Sequence, residues 1–201
     1  MARGVTAAQG NRDVMASFDT VEVGPGIIAF VAPETTSQFV SGNSVAVIGD
    51  DGVLVVDSGQ FPALTKKMIA EIRKRTDKPV RYLVNTHWHL DHMTGNSAYK
   101  EEYPEISIIS TPSTKLNGDL YDPRFLQVEK DGYATFVQKI NKMLETGKRA
   151  NGQTLDAAAM ENYKRLLSDL DEYIPLLPAM HYAGPTLRSV TSSIFILVSA
   201  W

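Results

Sequence analysis

Asn85-Thr86-His87-Trp88-His89-Leu90-Asp91-His92-Met93-Thr94-Gly95-Asn96 gathers three of the four histidines of the chain within six residues, with an aspartate among them. Imidazole nitrogen and carboxylate oxygen are the donors that borderline metals such as zinc prefer. The spacing has a geometric meaning. Residues i and i+2 of an extended segment point to the same side, so His87 and His89 can grip one ion together. A sharp turn after them makes Asp91 and His92 face a second position close by. Two metals roughly 3.5–4 Å apart that clamp a shared water form a standard hydrolytic device.

The flanks carry a pattern of their own. Val80-Arg81-Tyr82-Leu83-Val84-Asn85-Thr86 reads as a strand running into the histidines, and Gly95-Asn96 follows them. Upstream, Val53-Leu54-Val55-Val56-Asp57-Ser58-Gly59 reads as a strand ending in Asp-Ser-Gly. With the H-x-H-x-D-H spacing, these stretches resemble the metallo-β-lactamase superfamily, whose members carry a strand ending in Asp-Ser/Thr-Gly and a Gly-Gly or Gly-Asn pair after the motif. The resemblance implies an α/β fold, the αββα sandwich of that superfamily. Residues 18–201 would hold its N-terminal half, with a helical insertion over residues 120–180. It also implies a metal-dependent hydrolase, with His87 and His89 on a first metal and Asp91 and His92 on a second. Asp91 would in addition orient the nucleophile and take a proton. Zinc is the implied cofactor, as one or two ions, although chain order does not choose it over iron or manganese. Asp57 and Thr86 would be turn residues or partners for the ligand histidines, whose other ring nitrogen needs a hydrogen bond. A small-molecule substrate is implied; lactams, lactones, thioesters and phosphoesters are all cleaved on this scaffold, and fold does not settle chemistry.

Length and composition bound the reading. A chain of 201 residues is long enough for one domain with a substantial core. A net charge of −3 gives no basic field, which argues against nucleic acid, because phosphate binding rests on clustered Lys and Arg. No cysteine is present, so disulfides and thiolate ligands are excluded and the redox compartment stays open. The longest clean apolar run, residues 194–198, falls far short of the roughly 20 residues that span a bilayer, so no membrane partner is expected. Residues 1–17 lack the apolar core of a signal peptide and read as a flexible lead-in. Localisation is left between the cytoplasm and, had a signal been removed, the periplasm or the exterior.

Along the chain, residues 18–23 alternate apolar and polar like a half-buried strand, and Gly24-Pro25-Gly26 turns them into a second strand, residues 27–32. Residues 33–42 read as a polar loop. Two apolar strands, residues 43–49 and 53–57, flank the turn Asp50-Asp51-Gly52, and their continuous apolar character predicts burial on both faces. Pro62 at a helix start and Leu64, Met68, Ile69 and Ile72 at helical spacing predict a helix over residues 62–76. A strand over 80–86, a short helix over 95–103 and a short strand over 106–110 follow. Tyr133, Phe136, Val137, Ile140, Met143 and Leu144, closed by Gly147, predict one helix. Leu155, Ala159, Tyr163, Leu166, Leu170 and Tyr173 predict a second, with Thr154 as N-cap and Pro175 at the end. Together they form an antiparallel hairpin whose apolar stripes are expected to pack on the sheet.

The family pattern breaks at the far end. The superfamily takes its remaining ligands, two histidines and an aspartate or cysteine, from a second half. Here the one later histidine is His181, in a loop unlike the family's ligand segment. Gly184-Pro185-Thr186-Leu187 resembles the entry to a further strand. Residues 188–201 form an apolar, uncharged tail apart from Arg188, with no His, Asp, Glu or Cys. The expectation is therefore an impaired hydrolase, with a non-catalytic half-domain or binding module on the same scaffold as the alternative. Self-association through exposed apolar surface is expected in either case.

Overall fold

The computed structural model describes residues 17–33 and 41–188. The lead-in up to residue 16, most of the polar loop and the tail from residue 189 onwards lie outside the described residues. One seven-stranded sheet runs in sequence order: β1 (Asp19–Gly24), β2 (Ile27–Val31), β3 (Ser44–Ile48), β4 (Val53–Val56), β5 (Val80–Asn85), β6 (Ser107–Ser110) and β7 (Leu187–Arg188). The first four strands form an antiparallel meander, with Val45 opposite Val56 and Ile48 opposite Val53 across the β3–β4 turn. From β4 onwards the pairing is parallel. Parallel neighbours need crossover connections, which are supplied by α1 (Pro62–Arg73), by α2 (Leu90–Met93) with α3 (Asn96–Glu102), and by the long hairpin of α4 (Pro112–Thr146) and α5 (Ala157–Tyr173).

The core lies on one face of the sheet. Ile28, Phe30, Ala46, Val53, Val55, Leu83 and Ile108 form a single buried cluster with Leu64, Met68, Ile69 and Ile72 of α1 and Tyr99 of α3. Each Val, Leu, Ile, Phe or Met side chain among them contributes about 1.5–3 kcal/mol when fully buried. The opposite face departs from the expectation of two-sided burial. Val45, Val47, Leu54, Val56 and Val84 alternate with the core residues and are only half-buried. Among the described residues that side is left half-buried, and a continuous apolar run does not reveal which face has a partner layer. β1 also differs from the half-buried strand expected of it. Its residues are exposed up to Val23 (66%), because it is the edge strand of the sheet.

Helix ends follow local chemistry. α1 stops at Arg73, three residues before the expected limit. α4 is longer than the periodicity predicts, since Thr111 caps it by accepting from the Thr114 amide and Pro112 opens the first turn. Pro123 sits inside α4, where a proline ordinarily marks a boundary. Gly147 closes the helix in the left-handed conformation, as expected. The cap of α5 is Asp156, which accepts from the Ala159 amide, and not Thr154; Thr154 instead bridges to Lys148 in the hairpin turn. A 3-10 turn over Ile174–Ala179 then carries the chain back towards the sheet. No helix among the described residues is long and apolar enough to cross a membrane.

A candidate metal centre at the carboxyl ends of the central strands

β4 and β5 lie parallel, so their carboxyl ends open on the same side, where open α/β sheets place their sites. β4 runs directly into Asp57, which takes a left-handed backbone (φ 57°) and is buried. A non-glycine residue pays about 1 kcal/mol or more for this conformation, and here three hydrogen bonds hold it. Asp57 Oδ1 accepts from the Thr86 amide at 2.8 Å, and Oδ2 accepts from Thr86 Oγ1 at 2.7 Å. The same Oδ2 lies 2.8 Å from His92 Nδ1.

β5 delivers the histidines. After Asn85 the chain leaves the sheet, and His89 becomes the N-cap of the one-turn helix α2 that carries Asp91 and His92. This helix is the sharp turn that the spacing called for. Of the four expected ligands, His87 and His92 share a close group of ligand atoms with Asp57, and His89 and Asp91 are neighbours of that group. The His87 ring centroid lies 4.7 Å from that of His89 and 4.1 Å from that of His92. His92 Nε2 lies 3.1 Å from Asp91 Oδ2. His87 Nδ1 contacts Thr86 Oγ1 at 2.9 Å, so Thr86 and Asp57 occupy the inner ring nitrogens of two histidines and leave Nε2 as the ligating atom. Ligand atoms of Asp57, His87 and His92 all fall within 4.8 Å of one another. With its oxygens committed to Thr86 and His92, Asp57 is better placed to orient His92 than to bind an ion itself. The donor set of imidazoles and carboxylate suits zinc.

Electrostatics favour a charged His92 in metal-free protein. Burial alone would lower its pKa, but the hydrogen bonds to Asp57 and Asp91 and their charges carry it up to about 9. The Asp91 carboxyl is raised by burial, yet the His92 bond outweighs that and holds it below its ordinary value. His87 is held low, first by burial and then by the neighbouring imidazoles. His92 binds its proton more tightly folded than unfolded. Its contribution to stability is therefore complete below about pH 6.5 and disappears as pH rises through about 9. An ion must displace that proton, so zinc affinity is expected to climb across the same interval. An NMR titration of His92 after chelation is expected to show its midpoint near 9, moved down in Asp57→Asn. A zinc affinity that is flat in pH, or a midpoint indifferent to Asp57→Asn, would contradict this account.

A buried polar bracket behind the centre has no counterpart in the sequence reading. Asn85 and Asn96 exchange amide hydrogen bonds at 3.1 and 2.9 Å, and Asn96 also donates to the Ala183 carbonyl at 2.9 Å. Ser58 Oγ donates to Asn96 Oδ1 at 2.8 Å, while the Ser58 amide donates to the His92 carbonyl at 2.9 Å. Gly42 completes the enclosure. Its amide donates to the Asp91 carbonyl, and a Cβ there would stand 2.8 Å from His92 Cε1. The available signal was the position of two asparagines, one closing an apolar strand and one opening a helix. His181 is exposed and joins no group of candidate ligands among the described residues.

Comparison with known proteins gives the same direction. The family model of the metallo-beta-lactamase superfamily matches residues 38–187. A linear primary-alkylsulfatase from Pseudomonas sp. (strain ATCC 19151) is 40% identical over 52 residues, 26% of this chain and 10% of that protein. Among solved structures, a metallo-beta-lactamase from Pontibacter korlensis is similar at 18% identity with a TM-score of 0.47, over 53% of this chain and 49% of its own. The metallo-beta-lactamase FIM-1 from Pseudomonas aeruginosa, in a mono-zinc form, is similar at 18% identity and a TM-score of 0.46, over 53% and 47%. The matches thus span a tenth of the sulfatase and about half of each lactamase.

Proposed function

The chain belongs to the metallo-β-lactamase superfamily and has its α/β fold, and from that premise we propose that it is a metal-dependent hydrolase of a small molecule. One observation carries the reading: His87 and His92 are both fixed through Nδ1 by protein oxygens, beside His89 and the carboxylate of Asp91. Bound there, zinc would polarise the scissile bond and acidify a water to a pKa of about 7. His87 and His89 would hold the first position, and Asp91 and His92 the second. Asp57 and Thr86 keep the rings oriented, and Asp91, half-exposed and with a carboxyl below its ordinary value, stays ionised to orient the attacking water and accept its proton.

A second reading, a binding module without turnover, is favoured by the ligand count. Among the described residues the donors come from residues 87–92 and Asp57 alone, whereas a hydrolytic zinc ordinarily has three protein ligands plus water. The 201-residue chain is therefore expected to be slow, below the usual range of about 1–1000 per second. The test is to load it with zinc and assay lactam, lactone, thioester, phosphodiester and sulfate-ester substrates, with Asp91→Ala in parallel. Weak turnover that falls at least about 100-fold in Asp91→Ala is expected. Turnover indifferent to Asp91 would defeat the hydrolase reading, and stoichiometric zinc without any turnover would select the binding module.

A further inference from the structure

We propose that Trp88, Tyr121 and Phe125 form an aromatic wall beside the metal centre that holds an apolar alkyl or aryl group of the substrate. This rests on the hydrolase reading of that centre. The wall follows from topology. β5 ends at the histidine motif, β6 pairs beside it in parallel, and α4 starts directly from the end of β6. The first turns of α4 therefore run alongside the histidines. Trp88 lies between two expected ligands in the chain, and its ring meets His89 edge-on at 4.9 Å. The same ring packs against Tyr121 at 5.3 Å and lies nearly parallel to Phe125 at 6.3 Å.

These rings do not serve the core. α4 buries Leu126 and Ile140, while Tyr121 and Phe125, one turn apart, remain 44% and 47% exposed. Val128, a further turn along, is 67% exposed, and Leu120 is 52% exposed. Aromatic side chains bury about 150–250 Å² each where they pack fully, so a run of them left in water beside a polar site has the composition of a ligand surface. Its chemistry is specific. The wall is flat and uncharged, with the Tyr121 hydroxyl and the Trp88 indole N–H as its polar atoms, and it begins one ring away from His89. It fits a saturated or aryl substituent attached to the bond being hydrolysed, and offers nothing to a charged polymer.

The test uses the full chain loaded with zinc, carrying Trp201→Phe so that Trp88 is the sole indole reporter. Acetate, butyrate, hexanoate, octanoate and phenylacetate are titrated against its fluorescence. Affinity is expected to rise by up to about 4-fold per methylene and to level off once the chain passes Phe125. Tyr121→Ser with Phe125→Ser is expected to bind every acid like acetate, with zinc affinity by calorimetry unchanged. Tyr121→Leu with Phe125→Leu, which keeps the apolar surface, is expected to retain the series and guards against a folding artefact. A flat series on zinc-loaded protein, or no binding of any acid, overturns the wall. A dimer by light scattering that the serine pair dissociates also overturns it, by assigning the rings to a subunit contact. Retained chain-length dependence in protein that takes up no zinc supports the wall and removes the hydrolase reading alone.

Discussion

Gly95→Ala is expected to destabilise the fold by about 3 kcal/mol or more and to cost the chain its metal centre. Gly95 sits between the histidine motif and α3, and its amide donates to the Gly59 carbonyl at 2.9 Å. A Cβ at this position would stand 2.2 Å from the Ser58 carbonyl oxygen and 2.3 Å from Thr65 Oγ1. Neither neighbour is free to retreat. Thr65 is fully buried on α1 and donates to that same Ser58 carbonyl at 2.7 Å. Ser58 in turn is tied to the His92 carbonyl by both its amide and its hydroxyl. Any shift that admits the methyl therefore either breaks a buried hydrogen bond or drags His92 with it. Gly132, inside α4 with nothing near its would-be Cβ, is the control. Gly132→Ala is expected to be neutral or to stabilise by up to about 1 kcal/mol through helix propensity. Urea midpoints of the three proteins decide the matter, and a Gly95→Ala midpoint equal to that of Gly132→Ala would refute the close-packing account.

The contrast between these two glycines shows what the sequence made legible. The order of strands and helices followed from apolar periodicity, and Val53 to Val56 beside Val80 to Val84 emerged as parallel neighbours with α1 across them. The closeness of His87 and His92 followed from the motif's spacing, because a strand end and one helical turn bring the two rings together, whereas Asp57, the third member of that close group, was expected only as a turn residue or hydrogen-bond partner. What stayed hidden depended on partners distant in the chain. Nothing local marks Asn85 and Asn96 as a bonded pair, or Ser58 as the brace of a carbonyl 34 residues away. Periodicity likewise identified the apolar residues of β3 and β4 but not that, among the described residues, one of their faces is buried and the other half-buried. On α4 it pointed to packing of the stripe from Tyr133 to Leu144, and of that stripe Ile140 is buried whereas Phe136 is 41% exposed. Thr154 was expected to cap α5, but the hairpin turn engages Thr154 with Lys148 and Asp156 caps the helix instead.

His87→Ala combined with His89→Ala is expected to reduce zinc affinity by far more than the about 10–100-fold that loss of an outer hydrogen-bond partner costs, leaving no stoichiometric zinc after dialysis. His87 is the hinge of the arrangement, since its ring lies within 4.7 Å of His89 and 4.1 Å of His92. Without these two rings, the first position has no ligand from the motif. The residues that remain satisfy one another. His92 Nε2 is 3.1 Å from Asp91, and His92 Nδ1 is 2.8 Å from Asp57, so an ion would have to break an existing pair to gain two ligands. The fold should survive the change. His87 is half-buried, His89 is exposed, and neither belongs to the core cluster, so the cost to stability is expected within about 0.5 kcal/mol. Elemental analysis of purified wild type, the double variant and His181→Ala separates the alternatives. Zinc is expected in the first and third and absent from the second. Equal zinc in all three would show that the ion is held elsewhere, and the proposed roles of His87, His89, Asp91 and His92 would fall together.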